Sequence, residues 1–238
     1  MFHFFAKATG TRRDDQLPEN DQRRTFLRYA GASALVTTAL VSGCTDHNDV
    51  GPQGRGARVA ADAVMLGTGD VAVLNYAYAL EQLEAAFYVQ VIQSGKLTGD
   101  ELALMTDIRD HEVAHREFFR KALGSAAIKD LTPDFSSIDF SNRLGILAAA
   151  QAFEDLGVNA YNGAGKYIKS ADYLTLAGKI VSVEARHAAF IRDLLINNNF
   201  SNSVDSNALD MAKAPSEVLS IAGKFIKDKI DLTGSGLM

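Results

Sequence analysis

The sequence predicts an all-α protein: an antiparallel four-helix bundle with an additional short helix at its C-terminal end. Three observations predict it. Apolar residues recur at helical spacing through four segments of about 20–26 residues each. Only four prolines and no tryptophan occur in 238 residues. Strand-like alternation is nearly absent. With 47% hydrophobic and 22% charged residues, the chain can fill a core without disulfide staples. Its formal charge of −5 argues against a nucleic-acid partner.

Residues 1–44 read as an export signal and are set apart from the fold. A basic stretch ends in Arg23-Arg24-Thr25-Phe26-Leu27-Arg28, a mildly apolar run covers 29–42, and Val41-Ser42-Gly43-Cys44 closes it. The paired arginines resemble a twin-arginine export signal, and Val-Ser-Gly-Cys resembles a lipobox, whose cysteine is lipidated after cleavage. The apolar run is too short for a bilayer, which takes about 20 residues to cross. The expectation is therefore a protein of the periplasm or cell envelope, anchored to the membrane through a lipid on Cys44. Cys44 is the only cysteine, so neither a disulfide nor a thiolate metal site is available. Residues 45–69, with glycines at 51, 54 and 56, read as a flexible tether. Without residues 1–44 the chain keeps 18 Lys and Arg against 25 Asp and Glu, a charge of about −7.

The bundle is expected over 70–196. The first helix runs over about 70–93, carries Leu74, Ala77, Tyr78, Glu81, Ala85 and Tyr88 in helical register, and stops at Ser94-Gly95. Thr98-Gly99-Asp100-Glu101 reads as a capping box opening the second helix, which continues to Leu123 and stops at Gly124. After a loop with Pro133, the third helix spans about 141–162 and ends at Gly163-Ala164-Gly165. Ser170 caps the fourth, which runs to about Ile196, where three asparagines break it. In the C-terminal segment 197–238, residues 216–228 read as a shorter amphipathic helix that lies against the bundle.

The chemistry sits in repeated spacings. The second helix holds Glu112-Val113-Ala114-His115 and the fourth Glu184-Ala185-Arg186-His187. A Glu and a His three apart share a helix face and can reach one ion. The first and third helices each carry a Glu with a Tyr seven residues on: Glu81 with Tyr88, and Glu154 with Tyr161. The separations between helices also match, 31 residues from Glu81 to Glu112 and 30 from Glu154 to Glu184. The chain thus reads as a duplicated helical hairpin. Superposing its halves aligns Phe118 with Phe190 and Arg120 with Arg192, and places Gly157 opposite Glu84. That favours Glu81 over Glu84 as the ligand on the first helix and leaves Glu84 as a neighbour or an alternative. Four carboxylates facing one another repel, and two divalent cations would cancel their charge. Oxygen and imidazole donors suit iron, manganese or zinc; the lack of thiolates disfavours copper(I) and iron–sulfur clusters.

Leu80-Glu81-Gln82-Leu83-Glu84-Ala85-Ala86-Phe87-Tyr88, the two Glu-x-x-His pairs and the Glu-x6-Tyr repeats resemble the ferritin-like superfamily, over about residues 70–196. Among its members the chain is similar to bacterial ferritin-like domain proteins and desiccation-related proteins, a likeness that extends to Pro215-Ser216-Glu217-Val218-Leu219. The resemblance implies two divalent metal ions, iron or manganese before zinc, ligated by Glu81, Glu112, His115, Glu154, Glu184 and His187. It implies that Glu112 and Glu184 bridge the two ions and that Tyr88 and Tyr161 stand beside the ligands. It also implies chemistry on oxygen or peroxide, as an oxidase, a peroxidase or a catalase, without choosing among them.

Other readings compete. His111-Glu112-x-x-His115 matches the zinc-peptidase pattern, but no third ligand follows at a suitable spacing, and His111 falls opposite Val183, incidental to the duplicated design. Iron storage in a shell fits a lipid-anchored, tethered chain poorly. A non-catalytic envelope stress protein is the remaining alternative. Association of the chain with copies of itself stays open.

Overall fold

The structure, a computed structural model, describes residues 63–197 and 199–238. Arg23, Arg24, Cys44 and most of the stretch read as a tether lie outside the described residues. Four long helices follow one another: α1 (Gly69–Gln93), α2 (Gly99–Leu123), α3 (Arg143–Ala164) and α4 (Ala171–Leu195), then the short α5 (Pro215–Ala222). Two strands of two residues, β1 (Val64–Met65) and β2 (Ile230–Asp231), pair in parallel with Val64 opposite Ile230.

α1 is the central rod. Every residue over 72–85 is buried, so the helix is covered all round, where a surface helix would show one apolar stripe. It packs on α2, and α3 packs on α4, making two hairpins. The connection between them, residues 124–142, runs lengthwise beside α1. Asn75 Oδ1 accepts from the Ile128 N–H at 2.9 Å and Gln82 Oε1 from the Leu131 N–H at 2.7 Å. Further along, Phe87 packs against Phe135 and Phe140. The chain arrives beside the start of α2, where Arg143 Nε donates to both oxygens of Glu101 at 2.8 and 2.9 Å. Helices within a hairpin therefore run oppositely, and α2 and α3 run in the same direction.

Several local expectations meet a different physical solution. The capping box of the second helix does not form: the Thr98 side chain caps nothing, and Glu101 is taken by Arg143. α3 begins at Arg143, not near Ser141, because Asn142 Oδ1 accepts from the Gly145 N–H at 2.9 Å. Ser170 caps α4 through the Tyr173 N–H at 3.3 Å, as its position suggested. α5 ends at Ala222 with one 3₁₀ turn, Gly223–Phe225, and does not reach residue 228. Beyond it the backbone extends to hold the crossover: the Asp134 N–H donates to Phe225 O at 2.7 Å and the Lys227 N–H to Thr132 O at 2.9 Å. Val64 and Leu66, within the stretch read as a tether, are buried, and the Val64 N–H donates to Lys229 O at 2.7 Å.

Gly163 does not stop α3, which continues to Ala164. It admits the C-terminal segment instead: the Lys213 N–H donates to Asn159 O at 3.0 Å, and a Cβ at 163 would lie 1.7 Å from Lys213 O. A Gly163→Val change must push this backbone off the bundle. Overpacking of that kind costs about 1–3 kcal/mol, and a lowered midpoint in a thermal melt followed by circular dichroism is the expected result.

Candidate metal centre

Each helix of the bundle contributes to one buried cluster halfway along its length. α1 brings Glu81, α2 Glu112 and His115, α3 Glu154, and α4 Glu184 and His187. The four glutamates are fully buried. His115 Nδ1 lies 3.0 Å from Glu184 Oε1, 3.4 Å from Glu81 Oε2 and 3.6 Å from Glu112 Oε2. His187 Nδ1 lies 3.0 Å from Glu112 Oε1, 3.4 Å from Glu154 Oε2 and 3.9 Å from Glu184 Oε2. Two groups result, each with donor atoms within 4.8 Å of one another: Glu81, Glu112, His115 and Glu184, and Glu112, Glu154, Glu184 and His187. Glu112 and Glu184 belong to both, one oxygen turned to each histidine.

Eight buried atoms of these residues have no hydrogen-bond partner: Glu81 Oε2, both oxygens of Glu112 and of Glu184, Glu154 Oε2, and Nδ1 of His115 and His187. The short distances among them are approaches around shared centres without hydrogen-bond alignment. So many orphaned polar atoms in one protein interior are costly, and they are chemically the donors that a divalent ion with oxygen and imidazole ligands takes. The residues present therefore fit a pair of metal ions.

Electrostatics agree. Burial pushes the carboxyls of Glu154 and Glu184 upward and brings Glu81 to about 7. Burial also opposes ionisation of Glu112, but His115 and His187 outweigh it and hold this carboxyl at about 2. Burial disfavours a charge on either imidazole too, yet the surrounding carboxylates overcome it, raising His115 to about 12 and His187 to about 10. Without metal, the two imidazolium groups stand in as the cations of the cluster.

The tyrosines reach across between the hairpins. Tyr88 on α1 donates to Glu154 Oε1 on α3 at 2.5 Å, and Tyr161 on α3 donates to Glu81 Oε1 on α1. Each leaves the second oxygen of its glutamate facing the cluster. Burial first, and then the neighbouring carboxylate, push both phenols well up, so both remain neutral donors. Tyr161 also borders an apolar cavity of about 30 Å³ in the bundle core, with Leu80, Tyr76 and Ile180 among its walls.

Glu84 is buried but belongs to neither group. Its carboxyl occupies the space left by the missing side chain of Gly157, where a Cβ would meet Glu84 Oε1 at 3.0 Å and Glu184 Oε2 at 3.7 Å. Burial, reinforced by the Glu184 charge, pushes it well up. The mismatch between halves that sequence comparison detects is thus a direct contact.

His111, incidental to the duplicated pattern, is not incidental in the structure. Its Nδ1 lies 2.9 Å from Nε2 of His187. The ring planes are within 10° and the centroids 5.2 Å apart, about the N···N contact plus the two ring radii, so the rings meet edge to edge along a hydrogen bond. His111 joins neither donor group, so the geometry separates it from His115 and from a shared peptidase-type ion. The signal in the sequence is a histidine on one hairpin that faces a valine, Val183, on the other.

A family model described as a ferritin-like domain matches residues 69–197, which span all four long helices. No curated protein matches the chain.

Proposed function

Because this chain belongs to the ferritin-like domain family, we propose that it is an exported protein whose bundle holds two divalent ions, iron or manganese, and acts on oxygen or peroxide in stress defence. The observation that carries this reading is the set of eight orphaned donor atoms converging from four helices. Glu81, Glu112, His115 and Glu184 would hold one ion, and Glu112, Glu154, Glu184 and His187 the other. Two such ions supply a redox centre able to exchange electrons with oxygen or peroxide.

The chain's own residues perform the rest. Tyr88 and Tyr161 fix the orientation of Glu154 and Glu81, so each presents one oxygen inward. The fully buried carboxylates exclude bulk water from most of the site. Access is easiest beside His115, whose side chain keeps 14% of its surface, against 6% for His187.

Export through the Arg23-Arg24 signal and lipidation at Cys44 would place the domain in the envelope, on a tether. Twin-arginine export carries folded proteins, so the ion can be chosen in the cytoplasm before transport. Among the described residues no helix is long and apolar enough to cross a membrane. With Cys44 the single cysteine, the sequence lacks the four thiolates of an internal iron–sulfur electron supply, and disproportionation of peroxide is the reaction that asks least of outside donors.

Elemental analysis of the protein purified from its native host's envelope tests the reading. Close to two iron or two manganese per chain is expected, iron directing the next assay to oxidase or peroxidase activity and manganese to catalase activity. A folded, helical protein without metal would overturn it in favour of a non-catalytic stress or desiccation-related role.

A further inference from the structure

The two halves of the cluster match residue for residue in their donors, which makes their departures from symmetry informative. The most direct is His111. On the α4 side, His187 turns Nδ1 towards Glu112, Glu154 and Glu184, while its outer Nε2 is bonded to His111 Nδ1 at 2.9 Å. On the α2 side, the corresponding histidine, His115, turns Nδ1 inward in the same way, but the residue matching His111 is Val183, which has no hydrogen-bonding side chain. His187 is also the better sealed of the two. The second departure falls on the same side: the Gly157 gap that the Glu84 carboxyl fills is also faced by Glu184 Oε2, the oxygen turned to His187.

A ligand imidazole whose outer nitrogen is bonded is held in ring orientation and tautomer, so less freedom is lost when the ion arrives, and removing such a partner typically lowers metal affinity about 10–100-fold. We propose that the two metal positions are unequal: His111 braces His187, so the position formed by Glu112, Glu154, Glu184 and His187 binds first and firmly, and the position at His115 is the exchangeable one. The inference rests on the metal-site reading above. His111 is a positioning residue that touches a ligand and not the ion. It is exposed, so replacing it leaves the core intact.

The test is a titration of the metal-free full chain with Mn²⁺, following free ion by electron paramagnetic resonance. The wild-type protein is expected to bind in two separated steps. Glu154→Gln, which touches only the His187 position, should remove the tight step, and Glu81→Gln, which touches only the His115 position, should remove the weak one. His111→Val, copying Val183, should weaken the tight step about 10–100-fold while sparing the other, and His111→Asn, which keeps an acceptor, should restore part of the loss. Two equal steps in the wild type, or a tight step unmoved by His111→Val, would overturn the inequality while leaving the metal site standing. Absence of any bound Mn²⁺ in the wild type would overturn both.

Discussion

Replacing Glu112 by alanine will strip the protein of both ions, and Glu184→Ala will do the same. Each of these carboxylates directs one oxygen to each histidine and belongs to both donor groups, so no position keeps its full set when either is lost. Elemental analysis should fall from near two ions per chain to near none. Fold loss is not the expected cause. Glu184 sits among other buried carboxylates whose mutual repulsion burial strengthens, so removing it relieves the metal-free bundle. Glu112, by contrast, is held ionised by His115 and His187, so its loss lowers the stability of the metal-free bundle while the apolar packing of the four helices stays in place. Glu112→Gln, which preserves volume, serves as control: its helical circular dichroism should equal that of the wild type while its metal content is lost. Retention of one ion in Glu112→Ala would show that this carboxylate serves a single position.

Chelation should leave a folded protein whose stability falls steadily as pH rises from about 4.5 to about 10. The direction follows from proton uptake. Glu81 titrates near 7 in the folded chain, above its ordinary 4.5, so the native state holds more protons than the unfolded one across that interval. His187, raised from 6.5 to about 10, and His115, raised to about 12, extend the same sign upward: their contribution is complete below 6.5 and is lost as pH passes through the folded values. Glu112, held at about 2, acts oppositely, its contribution present above 4.5 and lost on acidification towards 2. Metal ligation requires deprotonated imidazole and carboxylate, so loading releases protons and tightens with rising pH. Thermal melts at pH 5, 7 and 9 should therefore diverge, with the chelated protein falling and the metal-loaded protein holding. Parallel curves would mean that the cluster is not where the ions bind.

The helical register, the two hairpins and the six donor residues were legible because each rests on local spacing: a face is fixed by intervals of three, four and seven. What escaped the sequence depends on contacts between distant segments. Thr98 and Glu101 satisfy a local capping rule, yet Arg143 on another helix outcompetes it. Gly163 looks like a helix stop because a glycine that admits another backbone has the same letter as one that breaks a helix. The lengthwise course of residues 124–142 is written in Asn75 and Gln82, buried polar residues outside the donor cluster, whose partners lie 53 and 49 positions away. His111 escapes a comparison of halves because such a comparison asks which residues repeat, and its counterpart, Val183, does not repeat it.

The crossed tyrosines, each tying one hairpin to the other's glutamate, have a consequence for descent. A free hairpin with these residues would complete its pocket by pairing with a copy of itself, and every change would then appear twice about the twofold axis. Joining two copies in one chain lifts that constraint. A bulky acid can settle against a glycine, and an imidazole can take the place of a valine, on one side alone. Fusion thus opens to selection a division of labour that an association of identical halves cannot reach.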